Sequence, residues 1–222
     1  MSEFTIISNN CWGAEVYKEL NLPYNTPFVG LFMPPQSFIE MLGDLPFFLS
    51  RPLRFKEISD FEIYNTNRRQ QNINYPIAEL APGIEIHFLH YQSVGEAEEK
   101  WIRRLKRMNM EKSSLFIKFC DREVEDFSLI EKFSSLPYQN KVCFTVKDPK
   151  KLEHVIQIIE HYRLKEVIDG KSLYEVSKSY FDVLNWIKTG NGNLSLTKKI
   201  KLYTRLIEKF VKNAYQKLSR SA

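Results

Sequence analysis

FTIIS (residues 4–8) runs directly into Asn9-Asn10-Cys11-Trp12-Gly13, and a helix-compatible stretch, Ala14 to Leu20, follows. Four apolar or β-branched residues and Ser8, followed by Asn and Gly, read as a buried strand. A polar turn between the C-terminal end of a strand and the start of a helix is where open α/β sheets place their chemistry. Backbone N–H groups are unpaired there, and the helix dipole favours an anion. The same field would lower the pKa of a thiol held at Cys11.

Further strands are expected at PFVGLFM (27–33), LRFKEI (53–58), FEIY (61–64), IEIHFLHY (84–91), SLFIKFC (114–120), KVCFTV (141–146) and HVIQII (154–159). Helices are expected at Gln36–Leu42, Val94–Met108, Phe127–Ser135 and Leu173–Ile187. The second has the clearest start signal, in which Ser93 and Glu96 form a capping box at the head of the apolar stripe Val94, Ala97, Trp101, Leu105 and Met108. Strands alternating with helices predict an α/β fold with a mixed, mainly parallel sheet, helices on both faces and a C-terminal amphipathic helix. Leu53 to Tyr64 reads as a hairpin turning at Ser59-Asp60, and the polar stretch Asn65–Asn74 as a loop. The chain divides into an α/β domain over residues 1–190, with a hairpin-bearing insertion at about 50–80, and a basic helical tail over 191–222.

The net charge of +5 is unevenly spread. Residues 191–222 hold eight Lys or Arg against the single Glu208, so the other 190 residues are slightly acidic. A basic nucleic-acid-binding face on the main body is therefore not expected. In the tail, Leu196, Ile200, Tyr203, Ile207, Phe210, Ala214 and Leu218 recur at three- and four-residue steps. Three readings of residues 195–219 compete: docking on the core or a partner subunit, peripheral contact with an anionic membrane, and a weakly ordered extension. Three cysteines without a CxxC pair predict a reducing compartment. No signal peptide is recognisable and no apolar run approaches the ~18 residues of a membrane span. The expected location is cytoplasmic, or peripheral to the inner membrane face.

Candidate chemistry gathers at strand ends. Cys11 is a candidate nucleophile or substrate contact, with His90 as its base and Asp121 as the orienter of that base or a metal ligand. His87 and His90 face opposite sides in strand alternation, and His90 is nearer the strand's end. Asn9 and Asn10 are candidate polar anchors, and Trp12 a stacking surface for a sugar. Arg103 and Arg107, four apart on one helix face, would clamp a diphosphate. Asp121 and Glu123 offer two carboxylates at a strand end, but there is no Asp-x-Asp, and no metal site is expected. The fingerprints GxGxxG, GxxxxGK[ST], HExxH and GxSxG are missing, which argues against dinucleotide, P-loop, zincin and α/β-hydrolase chemistry. Each of these residues also has a plainer reading as core, cap or solvated face.

The segments SNNCWGAEVYKELNLPYNTPFVGLF (8–32), GIEIHFLHYQSVGEAEEKWIRRLKRMN (83–109), LFIKFCDRE (115–123) and FDVLNWIKTG (181–190) resemble, in order, a bacterial family of unknown function associated with exopolysaccharide and capsule biosynthesis. Ala14 stands where that resemblance leads one to expect a second Gly. The resemblance implies a place in surface-polysaccharide assembly. Joined to the strand-end reading, it predicts transfer of a glycosyl or acyl group to a sugar-containing acceptor, from a nucleotide-sugar or an acyl-coenzyme A. A non-catalytic scaffold or regulator of a polysaccharide machine is the alternative. The cofactor is left open by the sequence.

Overall fold

The structure, a computed structural model, describes residues 4–218. The chain forms β1 (Thr5–Ser8), α1 (Trp12–Glu19), α2 (Pro35–Gly43), α3 (Leu45–Leu49), β2 (Arg54–Lys56), α4 (Glu62–Gln71), β3 (Ile77–Ala81), β4 (Ile84–His87) and α5 (Val94–Leu105). There follow β5 (Leu115–Cys120), α6 (Ser128–Ser135), β6 (Asn140–Thr145), β7 (Val155–Gln157), α7 (Gly170–Ser177), α8 (Val183–Thr189) and α9 (Leu196–Leu218).

Two sheets result. The first is wholly parallel, in the order β1-β5-β6-β7, with Ile6 opposite Phe116 and Phe119 opposite Cys143. Its central strands β5 and β6 are buried along their whole length, as sheets covered on both faces require. Alternation sends Ile7, Ile117 and Phe119 to one face, against α2, α6 and the second sheet, and Ile6, Phe116 and Phe144 to the other, against α1, α7 and α8. The second sheet is antiparallel, in the order β2-β3-β4. The mixed α/β expectation therefore holds, with the two strand orientations segregated into separate sheets.

Several local expectations are corrected. PFVGLFM is not a strand; it joins the fold through one bridge, Phe32 to His87. The hairpin lies at Pro82-Gly83, between β3 and β4, where Gly83 has φ +81°. It does not lie at Ser59-Asp60, and most of the strand read at 61–64 and of the loop read at 65–74 is instead the helix α4, Glu62–Gln71. Only Tyr64 and Asn65 of α4 are buried, so it has almost no apolar stripe to read. Its stability is local: Arg69 pairs with Glu62, Asn65 and Thr66 bond back to Glu62, and Asn72 closes the end at φ 50°. IEIHFLHY contributes β4 to the antiparallel sheet, and the parallel sheet does not include it. Leu173–Ile187 is two helices, because the Asp182 side chain accepts from Asn185 N at 3.2 Å and starts α8 afresh.

The tail helix α9 rests on the core. Leu202 and Leu206 are buried with Phe181, Trp186 and Leu194. Lys198 pairs with Asp182 at 2.6 Å, Arg205 with Glu160 at 3.1 Å and Lys209 with Glu160 at 3.4 Å.

Candidate functional site

The turn after β1 sits beside the end of β5, at the carboxyl edge of the parallel sheet. A cavity of about 700 Å³ opens there. Cys11 and His90 both line it, together with Tyr64 and Tyr75 from the α4 region, Arg122 and Glu123 after β5, and Asp169 and Lys171 at the start of α7. His90 reaches this edge by an unexpected route. It lies in the turn beyond β4, where its backbone N–H donates to Gly30 O at 3.0 Å.

Asp121 does not join these residues. It is fully buried, its Oδ2 accepts from Thr145 Oγ1 at 2.7 Å and Val146 N at 2.8 Å, and its Oδ1 accepts from Val167 N at 2.9 Å. Both oxygens are occupied in tying the ends of β5 and β6 to the segment before α7. The expected Cys11–His90–Asp121 relay is thus reduced to two residues on one cavity, with the third behind it as a structural clamp.

Asn9 and Asn10 hold the turn from beneath. Lys118, fully buried in the middle of β5, donates to Asn9 Oδ1 at 3.3 Å and to Asn10 Oδ1 at 2.9 Å. Asn10 Oδ1 also accepts from Trp12 N, and its Nδ2 donates to Cys120 Sγ at 3.3 Å. Burial pushes the Lys118 ammonium below its ordinary pKa, while the neighbouring cysteines pull it back up. Asn10 lines the cavity and holds the turn backbone through its Oδ1, whereas Asn9 lies beneath it, with Nδ2 buried and without a hydrogen-bond partner among the described residues. Trp12 is fully buried, with Nε1 donating to Ser177 Oγ at 3.0 Å and its ring between Tyr174 and Phe144. It is a core residue and has no face free for a sugar.

Gly170 is needed where α1 and α7 meet. A Cβ there would come 2.8 Å from Trp12 N, 2.9 Å from Asn10 Oδ1 and 3.0 Å from Cys11 N, all in the turn itself. Gly170→Ala is expected to destabilise the fold by about 1–3 kcal/mol through overpacking. A melting temperature equal to the parent's would show that the turn yields freely.

Cys11 is not activated. Burial pushes its thiol above the ordinary value and Glu15 adds to the shift, while Lys118 and Lys18 oppose it. At pH 7 the thiolate should fall below the few per cent of an ordinary cysteine. Cys120 and Cys143 are buried, so alkylation by iodoacetamide reports on Cys11. Labelling is expected to be several-fold slower than for a free thiol at pH 7 and to accelerate above pH 9. Faster labelling than the free thiol would reinstate the nucleophile.

Glu123 is the distinctive group of the cavity. It follows β5 at φ +61°, a left-handed conformation that costs a residue with a side chain about 1 kcal/mol or more. Its backbone N–H donates to Glu166 Oε2 at 2.7 Å, and its own Oε2 is sealed from solvent without a hydrogen-bond partner among the described residues. Burial pushes its carboxyl above the usual range. The Tyr64 hydroxyl and Arg122 hold it down, and Glu166 raises it again. Tyr75 is set by a buried chain behind the wall. Its hydroxyl lies 3.2 Å from His87 Nδ1, and His87 Nε2 lies 3.0 Å from Glu85. Burial lowers the His87 pKa, so the ring is neutral at pH 7. Assigned from these partners, Nε2–H donates to Glu85 and Nδ1 accepts from Tyr75.

The arginine clamp does not form. Arg103 is exposed and pairs with Glu99 at 3.2 Å, whereas Arg107 lines a second cavity of about 740 Å³ with Lys106. Tyr24 belongs to the walls of both cavities, and the buried Arg104 lies over its ring. Among the described residues no three His, Cys, Asp or Glu side chains gather as a metal site requires.

Sequence reasoning missed Tyr64 and Tyr75 because α4 lacks periodicity. It passed over Lys118, although a lysine inside the apolar run LFIKFC was the signal. Glu123 was visible in CDRE, but only as a metal ligand.

Comparison with known proteins places these elements in a shared domain. Residues 1–188 match the model of a domain of unknown function (DUF1919). A relative in Haemophilus influenzae, described only as an uncharacterized protein, is 36% identical over 191 residues, which is 84% of each chain. The match takes in every residue that lines the cavity, and the chain belongs to the DUF1919 family.

Proposed function

We propose that the cavity at the carboxyl edge of the parallel sheet is a group-transfer site. Its reaction is glycosyl transfer from a phosphate-activated sugar to a hydroxyl acceptor, in surface-polysaccharide assembly on the cytoplasmic side of the membrane. The observation that carries this reading is Glu123, a carboxyl with a raised pKa, held in a strained backbone conformation on a cavity wall. Perturbed acids in clefts are the usual mark of acid–base chemistry. The pathway itself rests on the resemblance carried by SNNCWG and the three later segments.

In this mechanism the Glu123 carboxylate takes the proton of the acceptor hydroxyl as its oxygen forms the bond to the anomeric carbon. The bond from that carbon to the donor's phosphate oxygen breaks, and its electron pair leaves with the phosphate. Arg122, Lys18 and Lys171, all on the cavity wall, supply positive charge for that leaving group. Tyr64 and Tyr75 border the cavity where the sugar would lie, and His90 is placed to contact a substrate hydroxyl. Acyl transfer through Cys11 is the weaker reading, because that thiol stays protonated at neutral pH.

The test is thermal stabilisation of the full chain against UDP-, GDP- and CDP-sugars, acetyl-coenzyme A and undecaprenyl-phosphate mimics. A specific ligand at 100 times its dissociation constant stabilises by about 2.7 kcal/mol, a melting shift of several degrees. A nucleotide-sugar shift lost in Arg122→Ala supports the proposal. A coenzyme A shift would replace it with acyl transfer, and a panel without any shift would favour a non-catalytic scaffold.

A further inference from the structure

The helix α9 carries two apolar stripes, and the core uses only one. Leu202 and Leu206 face inward and are buried. Leu196, Ile200, Tyr203, Ile207, Phe210 and Val211 are between 40% and 74% exposed. At 100° per residue this second stripe lies about a third of a turn away from the buried leucines. It continues onto the neighbouring loop, where Tyr162 packs on Phe210 and Leu164 is exposed. The side chains of Ala214 and Leu218, which would extend the stripe, fall outside those described. Six large apolar side chains in the open form a patch of the kind that marks an interaction surface. The family match ends at residue 188, before α9 begins, so the stripe is no part of the shared domain.

The charges around the stripe identify what covers it. Lys198, Arg205 and Lys209 are turned toward the core and neutralised by Asp182 and Glu160. Lys199 at the edge of the stripe, Lys201 and Lys212 on the polar face beyond Thr204 and Glu208, and Arg163 and Lys165 on the adjoining loop are exposed and form no ion pair among the described residues. Glu208 is the one acidic residue of the helix. Two copies joined stripe to stripe would bring these cations together and repel. A surface of acidic headgroups over an apolar interior matches both the stripe and its rim.

We propose that α9, docked on the core through Leu202 and Leu206, lays its outer stripe on an anionic lipid bilayer as a peripheral membrane contact. Apolar side chains enter the headgroup boundary and the flanking lysines meet the acidic lipid. Among the described residues no helix is long and apolar enough to cross a membrane, so the contact lies in the plane of the surface. The inference stands independently of the reaction proposed above.

The test is co-sedimentation of the full chain with vesicles of 7:3 phosphatidylcholine and phosphatidylglycerol, against vesicles of phosphatidylcholine alone. Binding to the acidic vesicles is expected, with loss in 0.5 M salt. Ile200→Ser with Ile207→Ser should weaken it at least tenfold without lowering the melting temperature, since neither residue supports the core. Lys199→Gln and Lys201→Gln should each weaken it about fivefold, the factor for one cation near an anionic surface. Equal binding to both vesicle types, or none to either, overturns the proposal. So does a dimer in solution that the serine pair converts to a monomer, because that outcome assigns the stripe to a second copy of the chain.

Discussion

Asp121→Ala is expected to lower the unfolding free energy by about 3–5 kcal/mol, the largest loss of stability from a single side chain near the cavity. The carboxylate is fully buried and receives three hydrogen bonds of 2.7–2.9 Å, from Thr145 Oγ1, Val146 N and Val167 N. Charge-assisted bonds of this length are roughly twice as strong as neutral ones. Alanine removes all three and leaves two backbone donors buried without acceptors, which costs about 1–3 kcal/mol each. These partners lie on β6 and on the segment before α7, so the loss also frees the ends of β5 and β6 and the start of α7 from one another. For a chain of this size the melting temperature should fall by roughly 10 °C. Asp121→Asn keeps one acceptor oxygen and should fall between alanine and the parent. Both variants are measured by thermal and urea unfolding. A melting temperature within a degree of the parent, with activity abolished, would return Asp121 to a role in the reaction.

The strand β1, the buried strands β5 and β6 and the helices α2, α5 and α6 were legible because their apolar residues repeat with the period of the element. What stayed hidden lacked that repeat or drew its stability from elsewhere. The helix α4 carries NTNRRQQ, with two buried residues in ten, and is held by its own Glu62, Arg69 and Asn72. Ile77–Ala81 was passed over as a strand because its identity depends on pairing with β4 through the Pro82-Gly83 turn, a tertiary fact. The site was half legible. A strand end followed by a helix start located Cys11; His90 was chosen by strand alternation, yet it reaches the cavity from the turn beyond β4, where alternation no longer applies. Residue type then misled for Trp12 and Asp121, since a large aromatic and a carboxylate near a turn look the same in sequence whether they face a cavity or the core. The Cys11 thiol misled in another way. Helix position predicts a lowered pKa, but burial and Glu15 reverse it, and burial is a property of packing.

Glu123→Gln is expected to reduce glycosyl transfer by about 10²- to 10⁴-fold, the usual contribution of a positioned base. Donor binding should remain, because the cations that meet the phosphate are other residues. Glutamine keeps the length of the side chain and the same backbone penalty at φ +61°, so the comparison isolates the carboxylate. Two pH dependences follow from the raised carboxyl pKa. In turnover, the parent needs the ionised form, so its acidic limb should lie above that of an ordinary glutamate, and the glutamine variant should lack it. In stability, the folded state holds this proton more tightly than the unfolded chain does. Folding is therefore favoured below the unfolded value of about 4.3, and stability declines as pH rises from there through the folded pKa. That decline should disappear in the variant, a result that unfolding measurements give even before a donor is known. If the variant keeps more than a tenth of parental turnover, or if both proteins show the same acidic limb, Glu123 is not the base. If the stability profiles coincide while turnover is lost, the carboxyl acts by contacting substrate, and its proton is not held by the fold.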